Sequence, residues 1–458
     1  MFLAEISDPF IVKRKYNLFC FIGRTIIDND PLPILVGLTQ NTPDSLLNIR
    51  FLIEDGRLDT DKGSVHYGFL KTVPLLLGYI ILYKISMKNV IFFIGSLQAG
   101  GTEAKLARNF LPLLKSRGNI NPKLLLLRES GEFLEVLPDS IEKLSLDETP
   151  ETNIIKIIPR FIRAVVKMKA DVVISCMWYP AIVAYLARKY GRIDFSHIVH
   201  DTTNMTEYIR YEFQSERFQR LKIYLMKKAY SDSDSVIVVS DGEKEDLVKN
   251  FYIPEELVNV VYNPIDVDRI CRMSGDATDI RCDKPVVVSV GRLIYSKGFD
   301  ILLKAFQNVK RHIDCRLMIL GRGTERQRLE ALAETLGIKE DVMFMGFDHN
   351  PFKFMHKAQL FCTATRYEGL GNAIIEAMAL GLPVIATDCR SGPGETLGAG
   401  KYGILVPTEN PGAIAEAILK VLSDRDLRTR LSDLSIKRAA DFSPEKSLAQ
   451  WEKIILSA

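Results

Sequence analysis

Arg366-Tyr367-Glu368-Gly369-Leu370-Gly371-Asn372-Ala373-Ile374-Ile375-Glu376-Ala377-Met378-Ala379-Leu380-Gly381-Leu382-Pro383 reads as the end of a strand, a tight turn and a helix. The apolar run 359–365 predicts the strand, which stops where the turn begins. Gly369 and Gly371 supply a turn of small residues. The helix is predicted to start with Asn372 as its cap and to stop at Gly381, with Pro383 beyond. Glu368 and Glu376 flank the turn with seven residues between them. The backbone N–H groups at the helix head, around Leu370, Gly371 and Asn372, lack partners within the helix and form a ready anion site. Glycine lets a ligand approach the backbone closely. Glu376 falls one turn into the helix, on the face of Asn372. Donors for a phosphate beside carboxylates for hydroxyls suit a sugar nucleotide.

The same strand–turn–helix pattern recurs outward from this stretch. Strands are predicted at 286–290, 316–321, 342–347, 360–365, 384–388 and 403–406. Glycine turns follow strand ends in this half, as an open parallel sheet requires. Upstream, a strand at 89–95 runs into Ser96-Leu97-Gln98-Ala99-Gly100-Gly101-Thr102-Glu103 and a helix over 104–117. Further strands are predicted at 122–128, 171–175, 197–200, 235–240 and 258–262. The fold class is therefore α/β, with two Rossmann-like, doubly wound domains at 87–264 and 284–442 and a polar linker at 265–283. A last helix occupies 443–458, with Ser443 as cap, Pro444 in its first turn and Glu445 favourable to the dipole.

The two-glutamate stretch is preceded by Val290-Gly291-Arg292-Leu293 with Ser296-Lys297-Gly298-Phe299-Asp300, and by Ile319-Leu320-Gly321-Arg322-Gly323. In this order the three segments resemble the retaining glycosyltransferases of the GT-B fold, the glycogen synthase and sucrose synthase-like group of glycosyltransferase family 4 type. The resemblance runs from about Lys88 to the C-terminus. It implies two Rossmann-like domains facing a cleft, the first on the acceptor side and the second binding a nucleoside-diphosphate sugar. The last helix would cross back to the first domain. Arg292 and Lys297 would stabilise the departing diphosphate, a guanidinium fork beside a point charge. Glu376 would accept hydrogen bonds from the ribose, Glu368 would face the donor sugar, and His200 would contact the sugar's hydroxyls. Gly100 and Gly101 would approach the donor phosphates or the acceptor, and Gly321 and Arg322 the nucleotide. Ser391-Gly392-Pro393-Gly394-Glu395 would shape the cleft. Many members of the family carry proline where Gly371 stands; glycine keeps the turn but leaves it less rigid. No metal and no cofactor is expected, the nucleotide sugar being the donor substrate. The implied activity is retaining, metal-independent transfer to a glycan or lipid-linked acceptor, in bacterial surface polysaccharide synthesis. A nucleotide-sugar epimerase on the same fold and a catalytically silent sugar-nucleotide-binding protein are the other readings.

A net charge of +3, without basic runs interleaved with aromatics, argues against nucleic acid as a partner. Hydrophobic content of 47% and charged content of 26% fit a soluble globular chain. The seven cysteines form no C-x-x-C pair and no zinc spacing, which fits a reduced, cytoplasmic setting. The stretch 154–169 sets Lys156, Arg160, Arg163 and Lys167 on one face and apolar residues on another, with Pro159 kinking it or marking its true start. Such a face suits either solvent or peripheral attachment to an anionic membrane surface. Residues 1–86 break the pattern. Gly, Pro, Asn and Asp punctuate 28–61 as loops. The apolar run 72–83 is about twelve residues, against roughly 20 for a bilayer span. This extension is expected to lie outside the catalytic fold; the alternative is that the run docks on the first domain or the bilayer.

Overall fold

The computed structural model describes residues 87–458 except 99, 148–153, 214–217, 279 and 281, and the backbone of 11–14, 17–27, 30–39 and 48–53. The chain divides into two compact units, Met1–Lys84 and Ile85–Ala458. In the first, β1 (Ile11–Arg14), β2 (Asn17–Ile27), β3 (Asp30–Thr39) and β4 (Asn48–Ile53) form an antiparallel sheet in that order. The reading of 28–61 as loops is thus corrected: it holds two strands. Pro31 and Pro33 look like turn residues, yet they lie in β3, which is paired on both sides. Pro33 sits beside the register shift between Phe21 and Arg24, an irregularity that tolerates a missing N–H. The apolar run 72–83 lies outside the described residues.

The second unit carries two parallel sheets. The first contains β5 (Lys88–Ile94), β6 (Ile120–Leu126), β7 (Lys143–Ser145), β8 (Val172–Cys176), β9 (Ser196–His200), β10 (Ser235–Val238) and β11 (Val258–Val260), in the order β11-β10-β9-β8-β5-β6-β7. The second contains β12 (Val286–Val290), β13 (Arg316–Leu320), β14 (Val342–Gly346), β15 (Leu360–Thr363), β16 (Val384–Thr387) and β17 (Ile404–Val406), in the order β14-β13-β12-β15-β16-β17. Continuous Val, Ile, Leu and Phe runs build these strands because helices cover both faces of each sheet. Strand order reverses between β5 and β8 in one sheet and between β12 and β15 in the other. Ligands bind such sheets outside the carboxyl ends of the strands at these reversals. Within these two sheets the sequence missed only β7, a three-residue edge strand.

Helix Ile154–Lys167 is continuous, and Pro159 lies inside it rather than at its start. The linker between the sheets contains a helix, Val267–Ser274, capped by the Asp266 side chain on the Arg269 N–H. The final helix, Pro444–Ser457, packs Leu448, Trp451 and Ile455 into the core beneath the first sheet. The Trp451 ring lies 5.0 Å from Phe110 and 6.3 Å from Phe92. Burial of an aliphatic side chain such as Leu448 or Ile455 stabilises by about 1.5–3 kcal/mol. Ser443 stands at the cap position but its side chain makes no capping bond. The two chain crossings between the domains are tied together where the Ile265 N–H donates to the Phe442 carbonyl at 2.9 Å. Among the described residues no helix is long and apolar enough to cross a membrane.

Candidate active site

Lys297 and Glu368 come from the loops after β12 and β15, the two strands that flank the reversal in the second sheet. Their side chains meet, Lys297 Nζ on Glu368 Oε1, and remain 20% and 19% exposed. A buried frame holds the two loops. Thr365 Oγ1 donates to the Ser296 carbonyl at 3.0 Å, and the Arg366 N–H donates to the same carbonyl at 2.7 Å. Arg366 forms a two-pronged pair with Asp300 at 3.0 and 2.9 Å and also holds Glu409. Its guanidinium covers the Tyr295 ring at 3.9 Å. Burial alone would lower its pKa, but the paired carboxylates outweigh that and raise it. Arg366 is therefore a structural strut beside the glutamate.

Gly371 has φ +84°, a conformation glycine adopts easily and proline cannot. The helix Asn372–Ala379 starts there, and Gly371, not Asn372, is its cap residue. Asn372 fails as a cap because its side chain is drawn across the cleft. Its Oδ1 accepts from Lys105 Nζ and from Asn263 Nδ2, the latter at 3.1 Å. Gly101 abuts the same side chain: a Cβ on Gly101 would stand 3.0 Å from Asn372 Nδ2. Glu376 is half-buried one turn on. Burial raises its pKa, and Lys105 and Arg108 pull it back. Burial pushes the Lys105 ammonium well below its usual range, against the pull of Glu376 and Glu368. The Leu370 side chain is buried, so only its backbone can serve a ligand.

Lys105 and Arg108 were not singled out from the sequence, although both follow Gly101 at helical spacing. Their placement depends on Pro112. The chain is helical over Gly101–Lys105, takes a π-helical turn at Leu106–Phe110, and resumes at Leu111–Ser116. Pro112 has no N–H to give the carbonyl of Arg108 four residues back. That carbonyl instead accepts from Arg269 Nη1 of the linker helix at 2.8 Å. Arg108 Nη2 lies 3.3 Å from His349 Nδ1, and its guanidinium covers Phe133 at 4.6 Å. Burial pushes the Arg108 pKa down to about 10. A cavity of about 30 Å³ behind the site is lined by Lys105, Arg108, Asp266, Arg269 and Glu376.

The remaining predicted residues fall as follows. Arg292 is exposed, and Glu103 faces it from the first domain. Burial raises the Glu103 pKa and Arg292 opposes that. Gly100 borders the Glu103 carboxylate, which a Cβ there would strike. Gly321, at φ +141°, permits a close approach to the Gly291 carbonyl, 1.9 Å from where a Cβ would stand. Arg322 turns to Glu132 of the first domain and lies over Phe347 at 5.6 Å. His200 is 6% exposed, with its ring edge-on to Trp451 at 5.0 Å. Neither ring nitrogen has a partner among the described residues. Burial, then Lys105, pushes its pKa down to about 3, so the ring is a neutral imidazole. Glu395 bridges the domains, accepting from the Asp241 N–H at 2.8 Å and from the Tyr262 hydroxyl at 2.5 Å. Among the described residues no cluster of three or more His, Cys, Asp or Glu could hold a metal.

Two families match this chain over the sheets that build the cleft: Glycosyl transferases group 1 over residues 276–438 and Glycosyltransferase Family 4 over 122–269. An uncharacterized glycosyltransferase of Methanocaldococcus jannaschii is 30% identical over 273 residues, 52% of this chain and 67% of that protein. The chain belongs to this glycosyltransferase family. The transferase is also 29% identical, over 81% of its length and 100% of the relative's, to the N-acetylgalactosamine-N,N'-diacetylbacillosaminyl-diphospho-undecaprenol 4-alpha-N-acetylgalactosaminyltransferase of Campylobacter jejuni. Its fold is GT-B: 81% of the transferase superposes on 100% of HepE from Anabaena, solved in complex with UDP, with a TM-score of 0.64 at 18% identity.

Proposed function

We propose that the transferase moves a sugar, with retention and without a metal, from a nucleoside-diphosphate sugar to a glycan or lipid-linked acceptor in bacterial surface polysaccharide synthesis. The observation that carries this reading is the Lys297–Glu368 pair set beside the helix head that bears Asn372 and Glu376. The diphosphate lies at that helix head, where unpartnered N–H groups and the dipole favour an anion. Arg292 and Lys297 take up the charge that develops on it, the part a metal plays elsewhere. Glu376 accepts from the ribose hydroxyls, and Glu368 faces the sugar. As the bond to the anomeric carbon breaks, the leaving phosphate oxygen takes the acceptor's proton. The acceptor then attacks on the face the diphosphate leaves, which preserves the anomeric configuration. The Campylobacter relative is named for a diphospho-undecaprenol acceptor, which supports a lipid-linked one here. UDP in HepE supports a nucleotide in the cleft.

A lipid acceptor places the enzyme at the cytoplasmic face of a membrane. Lys156, Arg160, Arg163 and Lys167 are all exposed on the helix Ile154–Lys167, beside Ile155 at 72% and Val166 at 62% exposure. A basic face edged by apolar residues suits peripheral attachment to anionic lipid.

The deciding experiment incubates the protein with a panel of nucleotide sugars and lipid diphosphate acceptors in EDTA, and reads the anomeric configuration by NMR. Retained configuration with EDTA present is expected. Inversion, a requirement for added manganese, or C2 epimerisation without an acceptor would each overturn the reading.

A further inference from the structure

The loop that carries Glu368 is gripped from the other domain on both sides of that residue. On one side, the Tyr367 hydroxyl donates to Glu212 Oε1 at 2.8 Å. The Tyr211 ring stacks on Tyr367 with centroids 5.5 Å apart and planes 5° apart. Tyr211 also meets Tyr295, two residues before Lys297, at 5.6 Å. Tyr211 and Glu212 end the first-domain helix Met205–Glu212, so one helix terminus touches both loops that supply the reacting pair. On the other side lies Gly369. A Cβ there would stand 2.2 Å from the Thr202 carbonyl oxygen and 2.3 Å from Glu243 Oε1. Glu243 is 1% exposed, and its Oε2 accepts from the Val239 N–H at 2.8 Å. Its Oε1 has no partner among the described residues and is aimed at the turn.

The second domain holds the backbone of this turn: Thr365 Oγ1 donates to the Tyr367 carbonyl at 3.1 Å, Ser391 Oγ to the Glu368 carbonyl at 2.6 Å and Thr396 Oγ1 to the Leu370 carbonyl at 2.8 Å. The first domain adds its own contacts on the Tyr367 ring and hydroxyl and on Gly369, so the direction of the Glu368 side chain between them depends on both domains.

We propose that the first domain positions Glu368 for catalysis through a two-sided clamp. Tyr211 and Glu212 hold Tyr367, Thr202 and Glu243 close over Gly369, and the Lys297–Glu368 pair reaches its working geometry when the domains meet. Tyr211, Glu212, Thr202 and Glu243 are positioning residues that touch no substrate atom. The clamp rests on the transferase reading of the site. The clamp implies that a donor binds the second domain alone while transfer waits for closure, which limits loss of sugar to water.

The test uses the full chain. UDP, GDP and ADP are titrated by calorimetry, and the sugar of the base that binds is used as donor. Tyr211→Ala and Glu212→Ala should each lower kcat about tenfold, the size of one well-placed interaction, and leave the diphosphate Kd within about threefold. Tyr211→Phe keeps the stacked ring and should keep wild-type kcat. Glu212→Ala combined with Tyr367→Phe should lose no more than either alone, because both remove one hydrogen bond. Gly369→Ala should block closure, lowering kcat about a hundredfold or more with diphosphate binding retained. Wild-type kcat in both Tyr211→Ala and Glu212→Ala, or a raised KM at unchanged kcat, overturns the clamp. Should Tyr211→Ala not fold, Glu212→Ala decides, since Glu212 is exposed. A wild-type chain that turns over no nucleotide sugar overturns the transferase reading itself; active wild type with indifferent clamp variants overturns the clamp alone.

Discussion

The Lys105 ammonium, on the first domain, donates to Oδ1 of Asn372, the residue that opens the helix bearing Glu376. A cation is thereby delivered across the cleft to a helix head that already attracts anions. Lys105→Met keeps the length of the side chain and deletes the charge. It should lower kcat/KM about a hundredfold, and Lys297→Ala and Glu376→Ala should each cost about 3–4 kcal/mol of barrier. Steady-state kinetics beside melting curves checks this. Wild-type turnover in a folded Lys297→Ala or Glu376→Ala variant would remove the site assignment.

Arg269 supplies the bond that Pro112 withholds from the Arg108 carbonyl. Arg269→Met should therefore destabilise the fold by about 1–3 kcal/mol through an unsatisfied acceptor. In a Pro112→Ala background the helix itself can satisfy that carbonyl, so the same change should cost distinctly less. Urea denaturation of the four proteins measures the difference. Additive costs would mean that the two residues are independent.

His200 gives a pH signature. Burial holds its pKa at about 3, whereas the unfolded side chain titrates near 6.5. Between these values the unfolded state binds more protons. The contribution to stability is full above about pH 6.5 and is lost as pH falls toward 3. The step from pH 6.5 to 5 should cost about 1.6 kcal/mol for this side chain. His200→Gln cannot take up the proton, so wild type should lose about 1.6 kcal/mol more than the variant over that step. His197, also pushed down to about 3 by burial, is common to both proteins and cancels. Equal losses in denaturant titrations would show that His200 is not a neutral buried ring.

What the sequence disclosed follows from how far apart the partners are. The loops at 290–297 and 366–376 each carry their glycines and charges within one strand–turn–helix, so the local pattern revealed them. Asn372 was misjudged as a cap because the group that claims its side chain, Lys105, lies on the other domain. Arg322 belongs to a nucleotide-facing loop by pattern, but its ion pair with Glu132 of the first domain was not legible there. The π-turn at Leu106–Phe110 had a local signal in Pro112, but its partner Arg269 lies in the linker. In 28–61 the prolines outweighed the apolar alternation because their cost depends on the pairing partner, visible only in the register with β2.

Attachment to membranes should depend on charge. The four cations on helix Ile154–Lys167 each contribute about 1 kcal/mol near an anionic surface, screened within a Debye length. Co-sedimentation with phosphatidylserine vesicles should exceed that with neutral vesicles and fall as salt rises. Replacing Lys156, Arg160, Arg163 and Lys167 by Gln should reduce it to the neutral level while leaving the melting temperature unchanged. Binding indifferent to lipid charge and salt would count against this face.

Residues 87–458 should fold and catalyse without the segment before them. Ile85–Ala458 is a compact unit by itself, with both sheets, both glycine loops and the returning helix. Its first strand begins at Lys88, and that strand is already central in its sheet, paired with β6 on one side and β8 on the other. No ladder position next to β5 is left for a strand from upstream. The Campylobacter relative is matched over its whole length by 81% of this chain, so a complete transferase of this family does not need the remainder. Every residue assigned to the cleft here lies beyond residue 99. A chain comprising 87–458 should therefore melt cooperatively near the full-length temperature and turn over donor within about twofold of the full chain, since the chemistry and its supports are intact. Binding to vesicles is measured in parallel, because a docking role for 1–86 would appear there and not in turnover of a water-soluble acceptor. An insoluble or inactive 87–458 chain would show that the upstream segment belongs to the working enzyme.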